Sequence, residues 1–117
     1  MRTRDLKRRT KAFAKDVIDL CRALPETREG RRIGDQIFRS GTSVGANYRA
    51  CCRGRSKADF INKLGIVIEE ADETLFWLEI IDEKGVLKGD LVRRLLREAD
   101  DLVAIFVASS RPAKGDA

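Results

Sequence analysis

Histidine is missing from this 117-residue chain. That absence removes the Ser–His and Cys–His dyads of nucleophilic catalysis, His-ligated metal centres and the classical zinc finger. Two prolines and 6% aromatic residues are too few for an all-β fold with its many turns. The three cysteines, Cys21, Cys51 and Cys52, are an odd count with an adjacent pair, which is not a disulfide framework. Neighbours on a helix point ~100° apart, so Cys51 and Cys52 make a poor redox pair. Each cysteine reads as a reduced thiol serving as a small buried hydrophobe. No apolar run approaches the ~18 residues of a membrane span. The charged start, Met1-Arg2-Thr3-Arg4-Asp5, leads into no signal-peptide core. A cytoplasmic location with no membrane partner is expected.

What is present is charge laid over a hydrophobic pattern. Charged residues make up 37% of the chain and hydrophobic ones 43%, so the chain has enough apolar surface to fold despite its charge. A chain of this length is expected to form one domain, spanning 1–110, with a polar tail at 111–117. Folding removes roughly two thirds of the surface of such a chain from water.

Four segments carry helical periodicity. In residues 4–24, Leu6, Phe13, Val17, Leu20, Cys21 and Leu24 form one stripe at i, i+3, i+4 and i+7 spacing, and Pro25 ends it. In residues 27–53 the stripe is Ile33, Ile37, Val44, Tyr48 and Cys51, interrupted by Ser40, Gly41, Ser43, Gly45 and Ala46. Each helical glycine costs about 1 kcal/mol relative to alanine, so a close approach by a neighbouring backbone is expected there. Residues 56–84 open on Ser56-Lys57-Ala58-Asp59, a capping-box-like start, and close on Gly85. The last helix is expected from Asp90 as N-cap, with Val92, Leu95, Leu96, Ala99, Leu102, Val103 and Phe106 on one face. Four amphipathic helices with short connections predict an all-α, antiparallel up-down-up-down four-helix bundle.

The third segment is apolar on two sides. Phe60, Leu64, Val67, Ile68, Ala71, Leu75 and Leu78 form the side expected to face the core. Ile66, Phe76, Trp77 and Ile80 gather on roughly the opposite side. A second apolar face needs a second cover, and exposed apolar patches mark interaction surfaces. These four residues are the expected oligomer interface. The competing reading lays Trp77 over a neighbouring helix of the same bundle.

Charge is segregated along the chain. Residues 1–57 hold 16 Lys+Arg against 6 Asp+Glu, net +10, and residues 58–117 hold 8 against 13, net −5. Arg4, Arg8, Lys11, Lys15 and Arg22 line up opposite the first apolar stripe, while Arg28, Arg31, Arg39, Arg49 and Arg53 fall away from the second. The third segment carries Glu69, Glu70, Asp72, Glu73, Glu79, Asp82 and Glu83. One reading is a solvated surface with interhelical ion pairs. The other is an electrostatic footprint for nucleic acid, in keeping with a pI near 9.4. Few aromatics border the basic stripe, so binding would be led by phosphates and steeply salt-dependent.

No catalytic constellation emerges. There is no phosphate loop, since Gly41-Thr42-Ser43-Val44-Gly45 lies in a helical pattern without a following Lys. The carboxylates of the third segment lack the Glu-x-x-His pairs of a di-metal bundle and read as a surface acidic run. Ser40, Ser43 and Asn47 have no apparent base and read as a satisfied polar network. No catalytic, metal-binding or cofactor-binding residues are assigned, and no enzyme activity is expected.

One combination of motifs is more specific. Gln36-Ile37-Phe38-Arg39-Ser40-Gly41-Thr42-Ser43-Val44-Gly45-Ala46-Asn47-Tyr48-Arg49 is followed by Arg55-Ser56-Lys57-Ala58-Asp59-Phe60-Ile61-Asn62-Lys63-Leu64. Glu70-Ala71-Asp72-Glu73-Thr74 and Trp77-Leu78-Glu79 then follow. From the first helix to Phe106 the chain resembles the bacterial four-helix-bundle family first noticed as reading frames in intervening sequences of large-subunit ribosomal RNA genes. That resemblance implies a ring-like homopentamer with no known catalysis. The accessory protein of diversity-generating retroelements looks like a more distant relative, a basic pentamer that works with a reverse transcriptase and nucleic acid. This chain departs from the family pattern in having Ala50 where a Glu is common, and in Cys51 and Cys52. Five copies would carry +25, five times the single chain's +5.

The expected function is a non-enzymatic oligomer that binds RNA or DNA through Arg4, Arg8, Lys11, Lys15 and Arg22, with Arg49 and Arg53 secondary, as an adaptor for another nucleic-acid enzyme such as a reverse transcriptase. The alternative is a protein-interaction scaffold whose basic half engages acidic partners.

Overall fold

Each amphipathic segment folds as an α-helix. The computed structural model describes residues 2–111 and contains α1 Thr3–Ala23, α2 Arg28–Cys52, α3 Lys57–Glu83 and α4 Asp90–Ser110. Among the described residues there is no strand. Of the polar tail expected at 111–117, only Arg111 lies within the described residues. The helices follow one another at short turns, so neighbours run antiparallel: α1 packs on α2, α2 on α3, α3 on α4, and α4 closes more lightly on α1. The resulting four-helix bundle measures 49 × 22 × 21 Å.

Local chemistry sets the ends of the helices. Thr27 Oγ1 accepts from the Gly30 N–H at 3.0 Å, and Ser56 Oγ accepts from the Asp59 N–H at 3.1 Å. These bonds satisfy donors that a helix start leaves orphaned. The Asp59 carboxylate accepts from the Arg55 N–H at 3.0 Å rather than from that of Ser56, so the box closes one residue early. Gly85, at φ +63°, ends α3. Its N–H donates to Asp82 and that of Val86 to Ile81, the paired bonds of a Schellman motif. One cap differs from expectation. Gly89, at φ +127°, takes the N-cap position of α4 in a conformation open to glycine alone. Asp90 is instead the first helical residue, its carboxylate held by Arg93 at 2.7 Å.

Phe13, Val17 and Leu20 of α1 meet Ile37 and Val44 of α2, Leu64, Val67, Leu78 and Ile81 of α3, and Leu95, Leu102 and Phe106 of α4 in one core. Burying each such side chain contributes roughly 1.5–3 kcal/mol. The small residues of α2 explain how α1 fits. A Cβ on Gly41 would stand 2.7 Å from Val17 Cγ2, and one on Gly45 would stand 3.2 Å from the Thr10 carbonyl oxygen. The Val17 side chain and the Thr10 backbone of α1 thus occupy the room that the missing side chains leave.

Inside the bundle, the buried hydroxyls of Ser40 and Thr74 lie 2.9 Å apart, and Thr74 Oγ1 is 2.8 Å from the Glu70 carbonyl. Ser43 and Asn47 do not join that pair. Both are half-exposed and donate to carbonyls of their own helix, Ser43 to Arg39 and Asn47 to Ser43. On α3 the core face also differs in detail: Thr74 and Ile81 are buried, whereas Phe60, Ile68 and Leu75 sit at its margins.

Candidate nucleic-acid interface

Helix α1 presents two opposed stripes. At 100° per residue, Arg4, Arg8, Lys11, Lys15 and Arg22 fall within an arc of ~60°, centred directly opposite buried Leu6, Thr10, Phe13, Val17 and Leu20. All five cations are exposed, and none makes an ion pair among the described residues. Arg4 to Arg22 spans ~27 Å of helix, the rise of about eight base pairs. Since Gly45 of α2 crosses Thr10 of α1, Arg49 and Arg53 stand at the end of the bundle that holds Arg4 and Arg8. Both are exposed and without an ion pair among the described residues.

Some of the bundle's other cations are engaged in ion pairs. Arg9 bridges α1 to α4, with two nitrogens each 2.7 Å from a Glu98 carboxylate oxygen and with Asp101 at 3.7 Å. Donating to the Glu98 carboxylate raises the Arg9 pKa further. Arg94 of α4 reaches Asp16 of α1 at 3.7 Å. These pairs span the seam where α1 and α4 pack most thinly. On the opposite side, Arg39 of α2 reaches Glu70 at 3.0 Å and Glu73 at 2.5 Å. Glu73 also accepts from the Trp77 indole N–H at 3.4 Å. Two carboxylates of the acidic run on α3, Glu70 and Glu73, therefore tether α2, and the motif residues Arg39, Ser40, Glu70, Glu73, Thr74 and Trp77 converge on one α2–α3 seam.

The expected oligomer interface divides in two. Phe76 is 51% exposed and Ile66 48%. Trp77 and Ile80 are half-buried and pack against the core, so Trp77 does lie partly over its own bundle. Its ring meets Phe76 edge-on at 5.1 Å between centroids. A third exposed apolar residue escaped the sequence reading: Phe38 of α2, 48% exposed. It follows buried Ile37 and is turned ~100° out of the core stripe, a signal that helical periodicity alone contains. Beside it, Cys21, Leu24 and Pro25 line an open cleft of about 300 Å³ between α1 and α2.

The thiols are quiet. Cys51 is fully buried, donates to the Phe60 carbonyl at 3.2 Å, and is pushed up to about 11 by burial. Burial likewise raises Cys21. Tyr48, stacked at a tilt on Phe106 with 5.4 Å between rings, is raised to about 12, chiefly by burial. All three cysteines are free, and no helix among the described residues is long and apolar enough to cross a membrane.

Comparison with known proteins agrees with this architecture. No curated protein matches the sequence significantly. A crystal structure of a protein of unknown function from the S23 ribosomal protein family of Bacteroides thetaiotaomicron VPI-5482 superposes with a TM-score of 0.82. It shares 30% sequence identity, and the match covers 91% of this chain and 98% of that one. The model of the 23S rRNA-intervening sequence protein family matches residues 3–108. The two-sided α3 and the Arg-Ser-Gly-Thr-Ser-Val-Gly-Ala-Asn helix that packs on it thus sit in a known frame, and the chain belongs to the 23S rRNA-intervening sequence protein family.

Proposed function

We propose that the protein is a non-enzymatic homo-oligomer that binds RNA or DNA by its phosphates and acts as an adaptor for a nucleic-acid enzyme, such as a reverse transcriptase, in the cytoplasm. The observation that carries this reading is the α1 stripe: five exposed cations on one face, while Arg9, Arg39, Arg93 and Arg94 are drawn into ion pairs. Cations without carboxylate partners keep their full attraction for phosphate, and neutralising each phosphate releases counterions. Arg49 and Arg53 extend the surface at one end. No aromatic side chain flanks the stripe for base stacking, so recognition is of the backbone and weakly sequence-specific.

Assembly supports the same reading. The resemblance to pentameric relatives and the exposed Phe76 and Ile66 favour a homopentamer, which would repeat the stripe fivefold around an axis. Fluorescence anisotropy with a generic RNA and a generic duplex DNA, titrated over salt, tests it. Binding at low salt is expected, with log affinity falling linearly against log salt at a slope of about −4.5 per protomer on duplex DNA if all five contacts engage. Lys11→Glu with Lys15→Glu weakens binding and flattens the slope. No binding at low salt overturns nucleic-acid recognition and favours a scaffold for acidic protein partners.

A further inference from the structure

The register of α1 against α2 sets further cations beside one half of the α1 row. Gly45 of α2 crosses Thr10 of α1, and the two helices run in opposite directions. Lys7 and Arg49 therefore stand ~4.5 and ~6 Å from the crossing on the same side of it, and Arg4 and Arg53 ~9 and ~12 Å. Lys7 falls between buried Thr10, which faces α2, and the row itself, while Arg49 is turned only ~40° from Gly45. Arg4, Lys7, Arg8 and Lys11 thus join Arg49 and Arg53 across the α1–α2 seam, at the end of the bundle that carries the α2–α3 turn. All six are exposed, and none makes an ion pair among the described residues.

Carboxylates spare this patch and crowd the other half of the row. Residues 41–56 contain no Asp or Glu. On α1, Asp5 is half-buried and lies one turn before Arg9, on the side that faces α4. On α3, Asp59 is held by Lys63 at 3.2 Å and by the Arg55 N–H. Toward the opposite end the pattern changes. Exposed Asp19 lies one turn from both Lys15 and Arg22. Glu26 and Asp35 line the α1–α2 cleft beside Arg31. Attraction for phosphate is therefore offset around Lys15 and Arg22 and undiminished around Arg4, Lys7 and Arg49.

We infer that the nucleic-acid surface is this two-helix patch of Arg4, Lys7, Arg8, Lys11, Arg49 and Arg53, and that its occupant is a duplex rather than a single strand. The inference rests on the nucleic-acid reading and narrows it: Lys15 and Arg22 drop out of the contact. A single strand follows a line of cations and stacks its bases on aromatic side chains. The patch is instead about as wide as it is long, ~10 Å along α1 and two helices across, with axes ~8–10 Å apart. The aromatic side chains of α1 and of this half of α2, Phe13 and Tyr48, are buried. A duplex stacks its bases on one another and needs no such platform. It presents two rows of phosphates flanking grooves ~6 and ~12 Å wide, which cations on two adjacent helices meet together.

Salt slopes of binding, measured on the wild type and two double variants, test it. Six contacts give slopes of log affinity against log salt of about −5.4 on duplex DNA and about −4.2 on a single strand. At about 0.1 M salt that difference alone favours the duplex about tenfold over an unstructured strand with as many phosphates. Arg49→Gln with Arg53→Gln is expected to flatten the duplex slope by about 1.8. Lys15→Gln with Arg22→Gln is expected to leave it unchanged. All four positions are exposed, and both variants keep their helical circular dichroism. A slope that Lys15→Gln with Arg22→Gln flattens as much, or that Arg49→Gln with Arg53→Gln leaves alone, overturns the patch. Tighter binding of the single strand overturns the duplex. Binding of neither at low salt overturns the nucleic-acid reading itself.

Discussion

Helices α1 and α3 bury comparable faces in the same core yet treat their outer faces in opposite ways. Outside its stripe of Leu6, Phe13, Val17 and Leu20, α1 is a row of exposed cations. Outside its stripe of Leu64, Val67, Leu78 and Ile81, α3 shows Phe76 and Ile66 among carboxylates. Holding the bundle together explains neither outer face. A row of cations has no use for an apolar neighbour, and an exposed phenylalanine has none for phosphate. On the function proposed above, α1 would take nucleic acid and α3 a protein surface.

The sharpest way to separate inner from outer faces is to truncate one phenylalanine on each. Phe13→Ala is expected to cost about 3–5 kcal/mol of folding stability, measured by urea unfolding. Phe76→Ala costs the isolated chain less than about 0.5 kcal/mol and acts on assembly. Equal losses would erase the distinction between the two faces.

The α1 contact with α2 gives the next largest effect. Gly41→Ala drives a Cβ into Val17 and is expected to destabilise by about 1–3 kcal/mol. On α3, a Cβ at Gly65 meets nothing within 4 Å, so Gly65→Ala is expected to stabilise by up to about 1 kcal/mol through helix propensity. Opposite signs in thermal melts of the two variants confirm that α1 approaches α2 more closely than its length requires.

Smaller still is the α1–α4 clasp. Arg9 and Glu98 are each 27% exposed, so Arg9→Ala is expected to lower stability by about 1 kcal/mol while leaving nucleic-acid affinity unchanged. A loss of affinity matching that of Lys11→Glu would place Arg9 in the binding row. The gentlest probe is pH. Burial raises Cys51 from 9.0 to about 11 and Tyr48 from 10.0 to about 12. Both groups ionise more readily in the unfolded chain, so their contribution is complete below pH 9 and is lost as pH climbs toward 12. Unfolding midpoints should therefore fall above pH 9, less so in Cys51→Ala.

Most of the fold is legible in the sequence because helices announce themselves locally. The stripes of α1, α2 and α4, the Ser56 cap, the stop at Gly85 and the packing role of Gly41 and Gly45 all follow from spacing and side-chain size. What spacing misses is decided by neighbours. Asp90 looks like a cap until Gly89 adopts a conformation that only glycine reaches. Trp77 and Phe76 look alike on a helical wheel, but Arg39 and Glu73 draw Trp77 toward α2 and leave Phe76 outside. The basic row on α1 is legible; that its members stay unpaired while Arg9, one position from Arg8, is claimed by Glu98 depends on where α4 returns.

Light scattering of the dilute protein tests the division between α1 and α3 most directly. The wild type is expected at a multiple of 13.2 kDa, unchanged by Lys11→Glu with Lys15→Glu and reduced to the single-chain mass by Phe76→Arg. A wild-type mass of 13.2 kDa, or assembly that survives Phe76→Arg and fails with the α1 substitutions, would contradict it.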